Sequence, residues 1–127
     1  MPSEPYRVAA EPAVSDDLRE LAAVDEELVD VAIRLMLALR DDPWAGEDLR
    51  ERYNLRAIKD CRKLRFDLPN WKGKPRYRLV YRNEPEDGAP EIVRLLAVGT
   101  RESLAAYRSA ATRLGNESRG RRKRGSE

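Results

Sequence analysis

Residues 60–82 carry the sequence DCRKLRFDLPNWKGKPRYRLVYR, whose pattern predicts a β-hairpin. Two strand-like runs flank a polar connection that contains Trp, Lys, Gly and Pro. Because successive strand side chains point to opposite faces, Leu64 and Phe66 are expected on one face of the first run. Lys63 and Arg65 then lie on the other face.

The second run, residues 76–82, alternates in the same way. Its tyrosines and Leu79 make an apolar face, and its arginines point to the opposite side. Side by side, the two runs present one cationic surface that suits phosphate groups. That surface comprises Lys63, Arg65, Arg76, Arg78 and Arg82.

An ordinary solvated sheet face is the competing interpretation, since antiparallel sheets commonly have one polar side. Two features argue against it. The charges on this surface are nearly all positive, whereas solvated faces usually mix signs. The nearby loop also carries an aromatic side chain and two more cations, Trp71, Lys72 and Lys74.

The segments before the hairpin predict a strand and two helices. Residues 5–10 are strand-like, and residues 11–21 form a short helix with acidic residues near its start. Asp25 is suited to cap a second helix that ends at Asp42 and Pro43, and the two helices form an antiparallel pair. The second helix has an apolar stripe formed by Leu28, Ala32, Leu35, Met36 and Leu39.

The segments after the hairpin predict one more strand and one more helix. Residues 91–98 are the most apolar strand candidate, which we place beside the second run after a turn-rich connection at 83–90. Thr100 is suited to cap a helix over 101–114. Residues 43–59 allow either a loop or one or two helical turns.

The predicted order is β-α-α-β-β-β-α, an α+β fold. We expect a small antiparallel sheet with the N-terminal helical hairpin and the C-terminal helix packed on one face, so that the opposite, cationic face is left open. Residues 1–114 are predicted to form a single domain, and residues 115–127 a disordered basic tail that binds nucleic acid or is simply soluble.

Charge is unevenly distributed along the chain. Charged residues make up 38% of the 127 residues, yet the net charge is only +2. Residues 1–55 hold 6 basic and 14 acidic side chains, a net of −8, whereas residues 56–113 carry +7 and residues 114–127 carry +3. The basic half indicates contact with nucleic acid or with an acidic protein.

Residue usage excludes several kinds of site. Cys61 is the one cysteine, which excludes an intrachain disulfide, indicates a reducing compartment and is expected to be a structural thiol. The lack of histidine excludes imidazole catalysis and zinc sites of the His/Cys kind. Neighbouring acidic residues on helices diverge and do not converge on a metal ion. We see no signal peptide and no apolar run of membrane-spanning length, which predicts a soluble cytoplasmic protein.

Residues 98–107, VGTRESLAAY, hold two further candidates. Arg101 opens a helix, where a cation is disfavoured by the helix dipole, so either a solvated helix start or a phosphate contact is expected. Tyr107 shares the apolar stripe of that helix, so core packing is the alternative to a role in a site.

The blocks DCRKLRF, RYRLVYR and AVGTRESLAAYRSAATRL resemble the bacterial RelE/ParE toxin superfamily, especially its RelE branch. The resemblance covers most of residues 5–114 in element order. It implies a toxin of a type II toxin–antitoxin system that cleaves messenger RNA on the ribosome, without metal or cofactor, and is neutralised by a cognate antitoxin.

The resemblance also implies a set of site residues. Lys63 and Arg65 match the family's basic pair on a strand, and Arg78 matches its arginine in YRLVY. Arg101 matches its arginine after VG, and Tyr107 its tyrosine in the last helix. The arginines would hold the phosphate, and Tyr107 would act as general base or stack on a base. Further RNA contacts are predicted for Arg62, Trp71, Lys72, Lys74, Arg76 and Arg82.

Two other functions remain open from the sequence. The first is a ParE-like protein that inhibits DNA gyrase and cuts nothing. The second is a sequence-tolerant nucleic-acid-binding module without catalysis, whose binding falls steeply with salt.

Overall fold

The computed structural model describes residues 6–49, 60–100, 106–107 and 109–114, and these form helices packed on both sides of a five-stranded sheet. Arg101 and the predicted tail lie outside the described residues. The elements are β1 (Arg7–Ala10), α1 (Val14–Val24), α2 (Glu26–Ala38), β2 (Glu47–Asp48), β3 (Cys61–Phe66), β4 (Tyr77–Glu86), β5 (Ala89–Thr100) and the helical residues 106–107 and 109–114, here called α3.

The sheet has the strand order β1-β5-β4-β3-β2. β1 runs parallel to β5, and the other neighbouring pairs are antiparallel. The predicted α+β fold is confirmed, as are the hairpin of β3 and β4 and the position of the most apolar strand beside β4.

The helical hairpin forms where the sequence predicts it. The Asp25 side chain accepts a hydrogen bond of 2.9 Å from the Glu27 N–H, which satisfies one of the free donors at the start of α2. α2 ends at Ala38, some residues before the predicted stop at Asp42 and Pro43. Asp42 instead accepts a hydrogen bond from the backbone N–H of Trp44 in the following turn.

The sheet is covered on both faces, so the prediction that all helices pack on one face is wrong. Leu79 and Tyr81 belong to the core beneath α1 and α2, whereas Val80 belongs to a second core with α3. Since neighbouring strand residues point to opposite faces, these two cores lie on opposite sides of the sheet. The apolar face of α3 therefore covers part of the cationic face, with Ala106, Tyr107, Ala110 and Leu114.

A register shift in β5 explains how this second core is built. Val80 pairs with Ala97 but Tyr81 pairs with Leu95, so Leu96 is an extra residue between the two pairs. Leu96 and Ala97 both pack in the core of α3. A bulge of this kind changes which side chains face each way, and strict alternation in the sequence does not reveal it.

Two connections differ from the sequence prediction. Residues 83–90 are mostly strand: β4 and β5 continue to a turn at Asp87 and Gly88, with Glu84 bound to arginines on both strands. Within residues 43–59, the structure describes a short strand, β2, which pairs with β3. None of the helices in the described ranges is long and apolar enough to cross a membrane.

Candidate functional site

The predicted catalytic cations of β3 and β4 lie on one sheet face. Arg65 is directly opposite Arg78, and Lys63 is opposite Val80 in the next pair but one. Lys63 is only 3% exposed and Arg78 only 7%, whereas the Arg65 side chain is 47% exposed. Like charges placed directly opposite each other destabilise a sheet, so the arrangement is not one that folding alone favours.

Arg78 is held by backbone rather than by an opposite charge. Its Nη1 donates to the carbonyl oxygens of Pro75 and Tyr77, at 2.9 and 2.8 Å. Among the described residues, no carboxylate forms an ion pair with it. A guanidinium held by carbonyl oxygens, without a carboxylate paired to it, is available to an anionic ligand.

Lys63 and Arg65 share one carboxylate, that of Glu47. Glu47 Oε2 lies 3.9 Å from Lys63 Nζ and 3.3 Å from an Arg65 nitrogen, and its side chain is 53% exposed. Sequence analysis missed Glu47, because a two-residue strand has no periodicity to recognise. Pairing of Glu47 with Lys63 in the sheet brings the carboxylate to this position.

The position of Glu47 depends on a buried tyrosine. The Tyr81 hydroxyl donates to the Pro43 carbonyl at 2.8 Å and accepts from the Gly46 N–H at 2.9 Å. Burial raises the pKa of Tyr81 to about 12, so the phenol stays protonated. A Cβ at position 46 would lie 2.8 Å from the Tyr81 ring and from the Lys63 carbonyl, which explains why glycine precedes Glu47.

Tyr107 lies within the second core and also borders the cations. It is 2% exposed, and the Lys63 ammonium lies 5.8 Å from the centre of its ring. Tyr107 therefore packs in the core, as the alternative interpretation expects. It also contacts Lys63, which is a predicted catalytic residue. A cation over an aromatic face is a favourable contact, which helps explain how Lys63 is buried.

An ion pair holds α3 against the sheet. Arg113 bonds Asp17 of α1 through two nitrogens, at 2.7 and 2.9 Å, and donates to the Leu96 carbonyl at 2.6 Å. Asp17 also accepts from the Val98 N–H. The Asp17 carboxylate thus joins α1, β5 and α3. It holds α3 in place beside the sheet.

The predicted RNA-binding arginines are each engaged by a carboxylate. Arg62 forms two hydrogen bonds with Asp87, at 2.9 and 2.8 Å, and lies on the face opposite Lys63. Arg82 pairs with Glu84. Arg76 pairs with Asp67, as described below. The structure thus brings together Lys63, Arg65, Arg78 and Tyr107, and it leaves Arg62 apart from them.

Cys61 does not contribute a nucleophile. The thiol is buried beneath α3, and burial raises its pKa to about 12, although Arg82 lowers it in part. A nucleophilic cysteine needs a thiolate near neutral pH, which this environment does not provide. The expectation of a structural thiol agrees with this position.

The structure resembles that of a known toxin. A structure of the E. coli toxin RelE, a mutant with two arginines replaced by alanine in the free state, matches with a TM-score of 0.57 and 22% sequence identity. The match covers 86% of this chain and 97% of the RelE chain. The chain has a RelE-like fold. No protein-family model and no curated protein sequence matches it.

The predicted catalytic residues that the structure describes lie on three elements of this fold. In this chain the cations come from two adjacent strands, β3 and β4, and Tyr107 comes from α3, which follows β5. Within the described residues, no group of three or more His, Cys, Asp and Glu side chains is arranged for a metal ion. The side chains at the cluster supply guanidinium, ammonium, carboxylate and phenol groups.

Proposed function

We propose that the protein is a RelE-like toxin of a type II toxin–antitoxin system, a metal-independent endoribonuclease that cleaves messenger RNA on the ribosome in the cytoplasm. One observation carries the proposal: Arg65 and Arg78 face each other across two strands beside the buried Lys63. Such a pair is unfavourable for the sheet, and a phosphate bound between the arginines would relieve the repulsion.

The cluster supplies what cleavage at a phosphate needs. The 2′-hydroxyl attacks the adjacent phosphorus, the bond to the 5′-oxygen of the next nucleotide breaks, and negative charge accumulates on the non-bridging oxygens. Arg65 and Arg78, with Arg101 as a further predicted contact, would stabilise that charge. Loss of one such donor costs about 10²- to 10³-fold in rate in comparable sites.

Proton transfer falls to groups other than histidine. A base must take the 2′-hydroxyl proton, and an acid must protonate the 5′-oxygen. Glu47 is half-exposed and Tyr107 is almost fully buried, so Glu47 is the more accessible acceptor, and Lys63 lies beside both as a donor. Neither a free carboxyl nor a free phenol has a pKa near 7, which favours slow cleavage of free RNA and help from the ribosome.

The test is to induce the protein, map messenger RNA ends and assay gyrase in parallel. Cleavage should be lost in the double variant Arg78→Ala, Arg101→Ala, and should persist in Arg34→Ala, which removes an exposed arginine from α2 on the other side of the sheet. Intact messenger RNA with a DNA-damage response would instead identify a gyrase inhibitor. RNA binding without any cleavage would identify an inactive binding module.

The proposed protein partner is a cognate antitoxin. Co-expression of a small neighbouring reading frame should restore growth and should co-purify with the protein. A neighbouring product that neither binds nor restores growth would count against the toxin–antitoxin assignment, even if cleavage were observed.

A further inference from the structure

The connection between β3 and β4 is an ordered unit built around Asp67. This carboxylate accepts three hydrogen bonds of 2.9 Å from Arg76, one from its backbone N–H and two from its guanidinium. Burial alone would raise the pKa of Asp67, but the hydrogen bonds from Arg76 and Leu68 outweigh it and lower the pKa. The pair closes the connection at its base.

Arg76 in turn holds the ring of Trp71. Its guanidinium carbon lies 3.5 Å from the centre of the indole, the indole N–H donates to the Lys74 carbonyl at 3.2 Å, and the Trp71 backbone N–H donates to Leu68. Gly73 has a φ of +109°, which lets the chain turn between these contacts. Trp71 is nevertheless 41% exposed. An exposed tryptophan is thus fixed by contacts that leave much of its surface free.

The surroundings of Trp71 are cationic. Lys72 and Lys74 are exposed, and within the described part of the chain neither forms an ion pair. Trp44 is a useful contrast, since it is 42% exposed and its indole N–H also donates to a backbone carbonyl, that of Asp87. Trp44 has Asp42 beside it and no lysine next to it in the chain.

This loop is joined to the proposed phosphate site. It starts immediately after the Phe66–Tyr77 pair, which follows the Arg65–Arg78 pair by one position. The Pro75 carbonyl at its end accepts a hydrogen bond from Arg78. A ligand held at Arg65 and Arg78 therefore has the Trp71 loop next to it along the hairpin.

From this arrangement we propose that Trp71 is a stacking surface for an unpaired RNA base next to the cleaved phosphate, with Lys72 and Lys74 contacting the neighbouring phosphates. Aromatic side chains with nearby cations bind single-stranded RNA in this way, since every base has a face that stacks. The proposal rests on the proposed function in that the ligand is RNA. Arg76, whose guanidinium is held by Asp67, positions the indole.

Fluorescence of single-tryptophan variants tests the proposal directly, because the chain has two tryptophans. Trp44→Phe leaves Trp71 as the reporter, and Trp71→Phe leaves Trp44 as the matched control. A short single-stranded 2′-O-methyl RNA, which cannot be cleaved by its own 2′-oxygen, should quench Trp71 and leave Trp44 unchanged. The proposal would be overturned if RNA quenched both tryptophans equally, or if RNA bound without quenching Trp71.

Binding and cleavage measurements separate stacking from a purely structural role. Trp71→Ala should weaken RNA binding by about 5- to 150-fold, whereas Trp71→Phe should retain most of it. The Trp71→Ala variant should lose cleavage mainly through a higher KM, and Trp71→Phe should lose less. If both variants melt at an equally lowered temperature but bind RNA with unchanged affinity, Trp71 has a structural role and the stacking proposal is wrong.

Failure of the nuclease proposal gives a different result. Suppose that RNA quenches Trp71 and that Trp71→Ala weakens RNA binding, but that neither the wild type nor any variant cleaves RNA. The stacking proposal is then supported and the endoribonuclease proposal is wrong. If cleavage occurs and RNA leaves Trp71 unchanged while an acidic antitoxin quenches it, the loop is a protein-docking site and the stacking proposal fails.

Discussion

Arg65 and Arg78 are placed against each other at a cost to the sheet. A directly opposed like-charge pair is unfavourable by a few tenths to about 1 kcal/mol, and Arg78 is also largely buried. Backbone carbonyls accept two hydrogen bonds from Arg78 and so help it remain there. Residues that folding alone would replace are reasonable candidates for function.

Arg78→Met should therefore separate activity from stability. We expect cleavage to fall by about 10²- to 10³-fold, while the free energy of unfolding changes by less than about 1 kcal/mol because repulsion with Arg65 is removed. Urea unfolding and single-turnover cleavage measure the two effects. A stability loss that accounts for all of the lost activity would contradict this assignment.

The site residues differ in how well the sequence predicts their positions. Alternation along β3 and β4 was sufficient to group Lys63, Arg65 and Arg78 on one face, because both strands pair without a shift there. Glu47 was missed because its place depends on Tyr81 and Gly46, contacts between segments distant in the chain. No local pattern encodes such a contact.

At the scale of elements, α3 is fixed by Asp17 of α1. Arg113→Leu should cost about 1.5–3 kcal/mol, because it removes charge-assisted hydrogen bonds to Asp17 and one to Leu96. Hydrogen exchange in residues 106–114 should quicken more than in α2, and cleavage should fall as Tyr107 and Lys63 lose their alignment. Arg19→Leu, which removes a solvent-exposed partner of Asp16, is the control.

The turn between β4 and β5 supplies a pH-dependent contact. Hydrogen bonds from Arg62 are the main influence that lowers the pKa of Asp87. The contact therefore contributes fully above the ordinary aspartate pKa and is lost as pH falls through the lowered one.

Asp87→Asn should be about 1–2 kcal/mol less stable than wild type at pH 7, an effect moderated by partial exposure of the pair. The difference should shrink below about pH 4, as urea unfolding at several pH values will show. Asp16→Asn, at the exposed Arg19 pair, should change stability by less than about 0.5 kcal/mol at any pH. A stability difference between Asp87→Asn and wild type that did not change with pH would show that the charge of Asp87 does not stabilise the contact with Arg62.

The order of the elements could be read from the sequence, but not all of their packing. Caps, apolar spacing and strand alternation identified α1, α2, β3, β4 and β5, because each is a local signal. The side of the sheet on which α3 packs could not be predicted in this way. It depends on an apolar surface formed jointly by residues of three strands, Cys61, Val80, Leu96 and Ala97. Strand alternation does place Cys61 and Val80 on the face of the cations, but two apolar positions on one face do not by themselves indicate that a helix covers it.

At the scale of the whole molecule, charge is separated along the β3–β4–β5 sheet. The end near the Asp87 turn is lined mainly by carboxylates, with Arg82 among them: Asp60, Glu84, Glu86, Asp87 and Glu91. The other end carries Arg65, Arg78 and the loop with Lys72 and Lys74. A molecule of small net charge can thus be attracted to RNA by one end and repelled at the other.

Salt dependence should report this separation. For single-stranded RNA, the logarithm of affinity should fall with the logarithm of salt concentration by about 0.7 per phosphate contacted, or roughly 2–3 in total for three or four contacts. Arg65→Ala should reduce the slope by about 0.7, and Arg34→Ala should leave it unchanged. A slope near zero would mean that phosphates are not the main ligands.

Glu47 gives the free protein an anion of its own at the cationic cluster. If the proposed phosphate site is correct, a phosphate arriving at Lys63 and Arg65 would have to displace this carboxylate from them. Such exchange lets a cluster of cations persist in the resting state without a bound ion. It would also limit which ligands bind, since a ligand must compete with a tethered carboxylate at two cations.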